Sequence, residues 1–186
     1  MDDFEIEIKA PIKNAQDVIS RLESLGAIQG ATVHQSDEYF AHPARDFHLT
    51  DEALRIRGVA EHYWVTYKGP RLESATKTRV ELEYQLAWGT HDDCRNCFLK
   101  LGFTPVAIVN KTRALWSLLF QDIEFEVAMD AVEDLGTYIE LEVKSRSIEV
   151  SRAQQSVEQL AQTLELEPTI SASYLELLLA QKMDDT

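Results

Sequence analysis

Polar and apolar residues alternate along much of this chain. In EIEIK (5–9), Glu5, Glu7 and Lys9 take one face of an extended segment, and Ile6 and Ile8 take the other. The same two-residue period runs through ALRIRGV, RVELEYQLAW, AIVNKTRALWSLLF, DIEFEVAMDAV and TYIELEVKS. With HQSDEYF and HYWVTYKG, it predicts strands at 4–10, 34–40, 53–59, 62–69, 79–88, 107–120, 122–132 and 137–145. Helical spacing marks PIKNAQDVISRLESLGA, with Asn14 as N-cap and Gly26 as stop. It marks 91–101, closed by Gly102, and then 151–166 and 171–183 with Pro168 between them. The turn-rich AHPARDFHLTD joins the second strand to the third.

A charged strand, a helix ending in LESLGA and further strands are echoed by RVELE, a helix ending in LKLGF and further strands. This weak repeat suggests one sheet built by duplication. No linker rich in Pro, Gly or Ser divides the halves, so residues 1–186 are expected to form one domain.

Hydrophobic residues make up 45% of the chain, enough for a core, and no apolar run approaches the roughly 20 residues of a membrane span. The acidic, strand-like MDDFEIEIKA argues against a secretory signal, and a cytoplasmic location is expected. The formal charge of −14 argues against broad nucleic-acid binding. Anionic ligands stay open only if the bases are gathered in one place.

They are gathered. The alternating charged faces carry Glu5, Glu7, Lys9, Arg55, Arg57, Lys68, Arg79, Glu81, Glu83, Lys111, Arg113, Glu124, Glu126, Glu140, Glu142 and Lys144. That set holds eight of the 18 bases but only eight of the 32 acids. Two architectures fit: charged faces toward water around an apolar interior, or charged faces lining a tunnel whose apolar exterior is covered by helices. Alternation does not choose between them. Arg and Lys from several strands grip phosphate oxygens, and carboxylates beside phosphate call for a hard divalent cation such as Mg²⁺ or Mn²⁺. No Walker A string is present. Cys94 and Cys97 form a lone C-x-x-C without a second pair for zinc, and read as small apolar positions of a helix. The five histidines show no ligand spacing, and Trp64, Trp88 and Trp116 read as packing residues.

EIEIK resembles the E-x-E-x-K signature of the CYTH superfamily, the triphosphate tunnel metalloenzymes, which include class IV adenylate cyclases and thiamine triphosphatases. The resemblance continues in order through DEALRIR (51–57), TYKGP (66–70), R-x-E-x-E (79–83), LGF (101–103), K-x-R (111–113), D-x-V followed by LG (130–136) and E-x-E (140–142). It covers about residues 4–178. It implies an α+β fold: a closed eight-stranded antiparallel barrel, charged faces inside, helices packed outside. It implies that Glu5, Glu7, Glu140 and Glu142 bind Mg²⁺ or Mn²⁺, joined by Asp130, Glu81 and Glu83 as further candidates. Lys9, Arg55, Arg57, Lys68, Arg79, Lys111 and Arg113 are implied to hold the triphosphate. Glu124 and Glu126 match no block and read as outer or structural positions, while Tyr174 is similar to a C-terminal block and equally suits helix packing.

YFAHPARDFHLTDEALRIR resembles class IV adenylate cyclases, which implies conversion of ATP to cyclic AMP and pyrophosphate. The alternatives are a triphosphatase acting on thiamine triphosphate, a nucleoside triphosphate or tripolyphosphate, and a non-catalytic nucleotide or polyphosphate-binding module. No general base is legible. The family also suggests a homodimer.

Overall fold

The computed structural model describes residues 3–70, 77–146 and 150–184. Eight strands form the framework: β1 (Asp3–Pro11), β2 (Ile28–Ala41), β3 (Ala53–Val59), β4 (His62–Lys68), β5 (Lys77–Gln85), β6 (Thr104–Phe120), β7 (Ile123–Val132) and β8 (Gly136–Arg146). Every neighbouring pair is antiparallel, and the order β1-β5-β4-β3-β2-β6-β7-β8 closes into a barrel. Five helices accompany it: α1 (Ala15–Ser24), α2 (Phe47–Thr50), α3 (His91–Lys100), α4 (Val150–Thr163) and α5 (Tyr174–Asp184).

The apolar faces point outward. Ile6 and Ile8 of β1, Phe125, Val127 and Met129 of β7, and Ile139, Leu141 and Val143 of β8 form one core with Val18 and Leu22 of α1 and Ala153, Val157, Leu160 and Ala161 of α4. A second core lies under α3, where Phe98 and Cys94 pack against Phe40, Leu54, Ile56 and Val65. Cys94 is thus the small apolar position expected of it, and Cys97 is exposed. In a third cluster, Tyr174 and Leu178 of α5 meet Tyr39, Val109 and Val132, so α5 sits against one end of the barrel.

Local chemistry sets the helix limits. The Asn14 side chain accepts from Gln16 N, and Gly26 adopts φ +82 just past the end of α1, a left-handed value that glycine takes without strain. Three features differ from the sequence-based expectation. β2 starts at Ile28, not residue 34, because it is held by β6 from Ser117 onward, while IQGATV carries no alternation. The β2–β3 connection contains the single turn α2, capped by Asp46, which accepts from His48 N at 3.0 Å. Trp88 is 80% exposed and packs no core, whereas Trp116 is buried in the first cluster.

α4 is a cover held on by side chains with no part in the tunnel. Leu160→Ala should lower unfolding free energy in urea by about 2–5 kcal/mol through lost burial and the cavity left behind. Affinity for tripolyphosphate should stay within about twofold of wild type.

Candidate functional site

Because the apolar faces point outward, the charged faces meet inside the barrel. They line one cavity of about 840 Å³. All seven predicted phosphate-binding cations line it, together with seven strand carboxylates, Glu5, Glu7, Glu81, Glu83, Glu126, Glu140 and Glu142. Six of the seven cations are buried, at most 8% exposed, and Arg57 is half-buried. The Lys144 side chain lies outside the described residues.

Buried charge is costly unless paired, and the strand register supplies the pairs. Directly opposite one another across neighbouring strands stand Asp37 and Arg57, Lys68 and Glu81, Glu5 and Arg79, Lys9 and Glu140, and Arg113 and Asp130. Arg113 donates from Nε to Asp130 Oδ1 at 2.7 Å and from Nη2 to Asp130 Oδ2 at 2.6 Å, and it also contacts Glu140. Arg57 makes a similar fork on Asp37 at 2.6 and 2.7 Å, with Arg55 at 3.4 Å from the same carboxylate. Lys68 Nζ lies 2.5 Å from Glu5 and 3.1 Å from Glu81; Lys9 Nζ lies 3.1 Å from Glu140.

Two donors break this pattern. The buried Nε atoms of Arg55 and Arg79 make no hydrogen bond in the protein, that of Arg79 lying 3.6 Å from Glu5 Oε2. A buried donor without an acceptor costs free energy that an incoming oxygen would recover.

The register also sets like charges side by side. Glu142 of β8 faces Glu7 of β1 on one side and Glu126 of β7 on the other, a destabilising arrangement that an added cation would relieve. Glu126 is therefore a tunnel residue and not the outer position expected from sequence. Among the described residues, no three carboxylate, imidazole or thiol groups converge into a ready-made ion cage.

Electrostatics follow the pairing. Burial opposes the charge on Lys68, yet Glu5 and Glu81 outweigh it and raise its pKa above the usual lysine value. Burial likewise disfavours the Glu81 carboxylate, but Lys68 and Arg55 hold its pKa low. Lys111 goes the other way. Burial, with Arg113 and Arg57 adding repulsion, lowers it to about 7 despite Asp130 and Glu140.

Two residues were not legible as site components, and a third, Tyr174, was legible only as similar to a C-terminal block. Asp37, 1% exposed, anchors Arg55 and Arg57, but in HQSDEYF it stands beside Glu38 with no motif to single it out. Thr66, fully buried, donates to Glu83 at 2.7 Å. Tyr174 closes the constellation: its hydroxyl donates to Asp130 at 2.9 Å, and its ring lies under Lys9 Nζ at 3.8 Å and Lys111 Nζ at 4.9 Å. Asp130 itself is fully buried behind Arg113, with both oxygens accepting from it. Among the five histidines, His42 and His48 line the cavity mouth.

Comparison with known proteins agrees with this arrangement. The family model described as the CYTH domain matches residues 3–174. A Methanocaldococcus jannaschii protein named "Putative adenylate cyclase MJ0240" is 35% identical over 177 residues, covering 94% of this chain and 98% of that protein. The structure of PH1819 from Pyrococcus horikoshii superposes with a TM-score of 0.84 at 31% identity, over 95% of this chain and 99% of that one. HpAC1 from Hippeastrum, an adenylyl cyclase candidate described as having a dominant triphosphatase activity, shares the fold with a TM-score of 0.68 at 16% identity, covering 96% of each chain. With the barrel closed, its charges inside and the family match spanning nearly its whole length, this chain belongs to the CYTH family.

Proposed function

We propose that this chain is a divalent-metal-dependent enzyme that grips the polyphosphate of an organic triphosphate inside its barrel, and that it cyclises ATP to cyclic AMP and pyrophosphate. The observation that carries the proposal is the inner wall of buried cations, with the Nε donors of Arg55 and Arg79 left without acceptors. Phosphate oxygens match both the charge and the donor geometry. Lys9, Arg55, Arg57, Lys68, Arg79, Lys111 and Arg113 are assigned to this grip. Asp37 and Asp130 orient the arginines from behind, and Tyr174 fixes the two lysine heads.

The seven strand cations of the cavity face seven strand carboxylates, with Asp37 and Asp130 behind the arginines and Asp46, Asp51, Glu52 and Glu176 accompanying Arg45 in the lining, so the wall as a whole offers a polyanion no surplus of positive charge. A hard divalent ion fits that donor set, held by one or two carboxylates together with the substrate's own phosphate oxygens rather than by a closed protein cage. Glu5, Glu7, Glu140 and Glu142 are assigned to it, with Glu126, Glu81 and Glu83 beside them. When bound, such an ion offsets charge developing on the phosphoryl oxygens. The protein's own cations fix the chain of phosphates so that the ribose 3′ oxygen lies in line with the α-phosphorus. The new O–P bond forms as the bond to the bridging oxygen breaks and pyrophosphate departs. The adenylate cyclase name of the Methanocaldococcus relative supports this reaction. A triphosphatase is the second reading. It is favoured by the exposure of Glu83 and Glu126, which leaves the carboxylate end of the tunnel open to attacking water.

A panel of ATP, thiamine triphosphate and tripolyphosphate, each with Mg²⁺ and Mn²⁺, separates the two. Cyclic AMP and pyrophosphate from ATP are expected, and orthophosphate release would select the triphosphatase. Turnover of none of them, together with no calorimetric binding of tripolyphosphate, would sink both.

Two variants test the assignments. Arg79→Lys keeps the charge but removes the Nε donor, which makes no hydrogen bond in the protein. A charge-assisted hydrogen bond of about 1.5–3 kcal/mol corresponds to a roughly ten- to hundredfold loss of tripolyphosphate affinity. Glu5→Gln combined with Glu7→Gln should abolish divalent-dependent turnover while circular dichroism stays native.

Lys111 supplies a pH signature. Its free-state pKa of about 7 must rise when phosphate sits beside it, so binding takes up a proton above pH 7. Tripolyphosphate affinity should therefore be fullest below pH 7 and fall above it. Measured against Lys111→Arg, which stays charged, the loss should approach about tenfold per pH unit between pH 7 and 9. Parallel profiles for the two proteins would refute the assignment.

A further inference from the structure

The ribbon of β2 and β6 runs past the end of β3 and leaves one edge open. Residues 28–34 pair with β6 on one side. β3 ends at Val59, opposite Gln35, so among the described residues no strand pairs with 28–34 on the other side. All of these residues but Val33 are exposed. The direction of their backbone follows from the neighbouring ladder. Glu133 N donates to Asn110 O, so Asn110 faces β7, and alternation turns Lys111 and Arg113 toward β2. Their partners Gln35 and Val33 face back toward β6, which leaves Thr32 and His34 aiming N–H and C=O groups out of the open edge.

Proteins ordinarily blunt such an edge with charge, above all with Lys. This edge carries none. Ser24–Ser36 is the longest run of the chain without Asp, Glu, Lys or Arg, although charged residues are 27% of the sequence and the net charge is −14. Apolar surface lies beside the open backbone. Ile28 stands opposite Ser117 and so shares a face with Leu119, two residues on; the two are 70% and 65% exposed. The protection that remains is one bulge, where the register shifts between Gln29 and Thr32 and Gly30 comes against the Leu115 carbonyl.

We propose that this edge is a self-association surface, on which a second copy of the chain adds its own β2 antiparallel about a two-fold axis. Two chains of −14 repel over most of their surface, and the uncharged window is where a like copy approaches at least cost. The two-fold makes the edge its own complement, since the outward donors of one copy meet the outward acceptors of the same residues in the other. Ile28 and Leu119 then leave water together with the backbone groups. The sheet continues across the axis from β7, β6 and β2 of one copy into the same strands of the next.

Sedimentation velocity and hydrogen exchange on the full chain, across a range of concentrations, test this. The wild type should dimerise, and association should tighten as salt rises from about 20 to 300 mM, because screening relieves the repulsion and no ion pair is lost. The amides of Thr32 and His34 should gain protection as protein concentration increases. Thr32→Pro removes an outward donor, and Ile28→Glu puts a charge into the window. Each should raise the dimer Kd about tenfold or more, whereas Leu82→Glu, at a 52% exposed position of β5, should change it by less than about twofold. A wild type that stays monomeric up to roughly 1 mM overturns the proposal. So does a dimer that salt weakens, that both edge variants leave intact, or that Leu82→Glu disrupts to the same extent. Circular dichroism and thermal midpoint identify misfolding, and Ile28→Glu, on an exposed side chain, carries the test if Thr32→Pro does not fold.

Discussion

The structure depends on charge being neutralised where water is scarce. A barrel interior that buries six cations is stable only if each meets an opposite charge; the antiparallel register sets an acid directly opposite Lys9, Lys68, Arg79 and Arg113, while Arg55 and Lys111 reach Asp37 and Asp130 diagonally. A slip of one residue on any strand would send its charges to the apolar exterior and its branched residues into the tunnel. Pairing and register therefore enforce one another, and the site and the scaffold are a single construction. The Nε donors of Arg55 and Arg79, whose charges are paired but which make no hydrogen bond, then define what the interior is organised to receive.

Turning the charges inward transfers the hydrophobic work to the outside. The outer faces of β1, β7 and β8 would meet water without α1 and α4, and those of β2, β3 and β4 would do so without α3. α5 has a different task. It reaches the end of the barrel and contributes Tyr174 and the Leu175–Leu179 wall to the cavity itself, so one helix both stabilises and shapes the site.

Much of this was legible in the sequence, and the omissions have physical causes. The period of two located six of the eight strands, each with one apolar and one charged face, while HQSDEYF and HYWVTYKG read as strands without a clean alternation. It could not say which face is inside, since solvated and tunnel-lining strands share one pattern; the ordered family blocks from EIEIK to E-x-E resolved that. Asp37 escaped because an acid on a strand acquires meaning only from the Arg57 opposite it, and pairing register is not written in a single strand. Glu126 escaped for the same reason, its role being set by the neighbouring Glu142. The role of Tyr174 depends on a helix docking across the barrel end, a long-range fact.

The balance of charges inside the tunnel bears on how a ligand arrives. Seven strand cations face seven strand carboxylates, further acids stand behind the arginines and in the rest of the lining, and the chain carries −14 overall, so the cavity has no surplus of positive charge. A bare polyanion approaching from solution is therefore repelled at long range and feels the arginines only at contact, the reverse of electrostatic steering. Complexing the phosphates with a divalent cation reduces that repulsion, and so does added salt, whose screening acts over about 10 Å at moderate ionic strength. Capture thus accelerates with ionic strength while the buried grip, shielded from mobile ions, is little weakened.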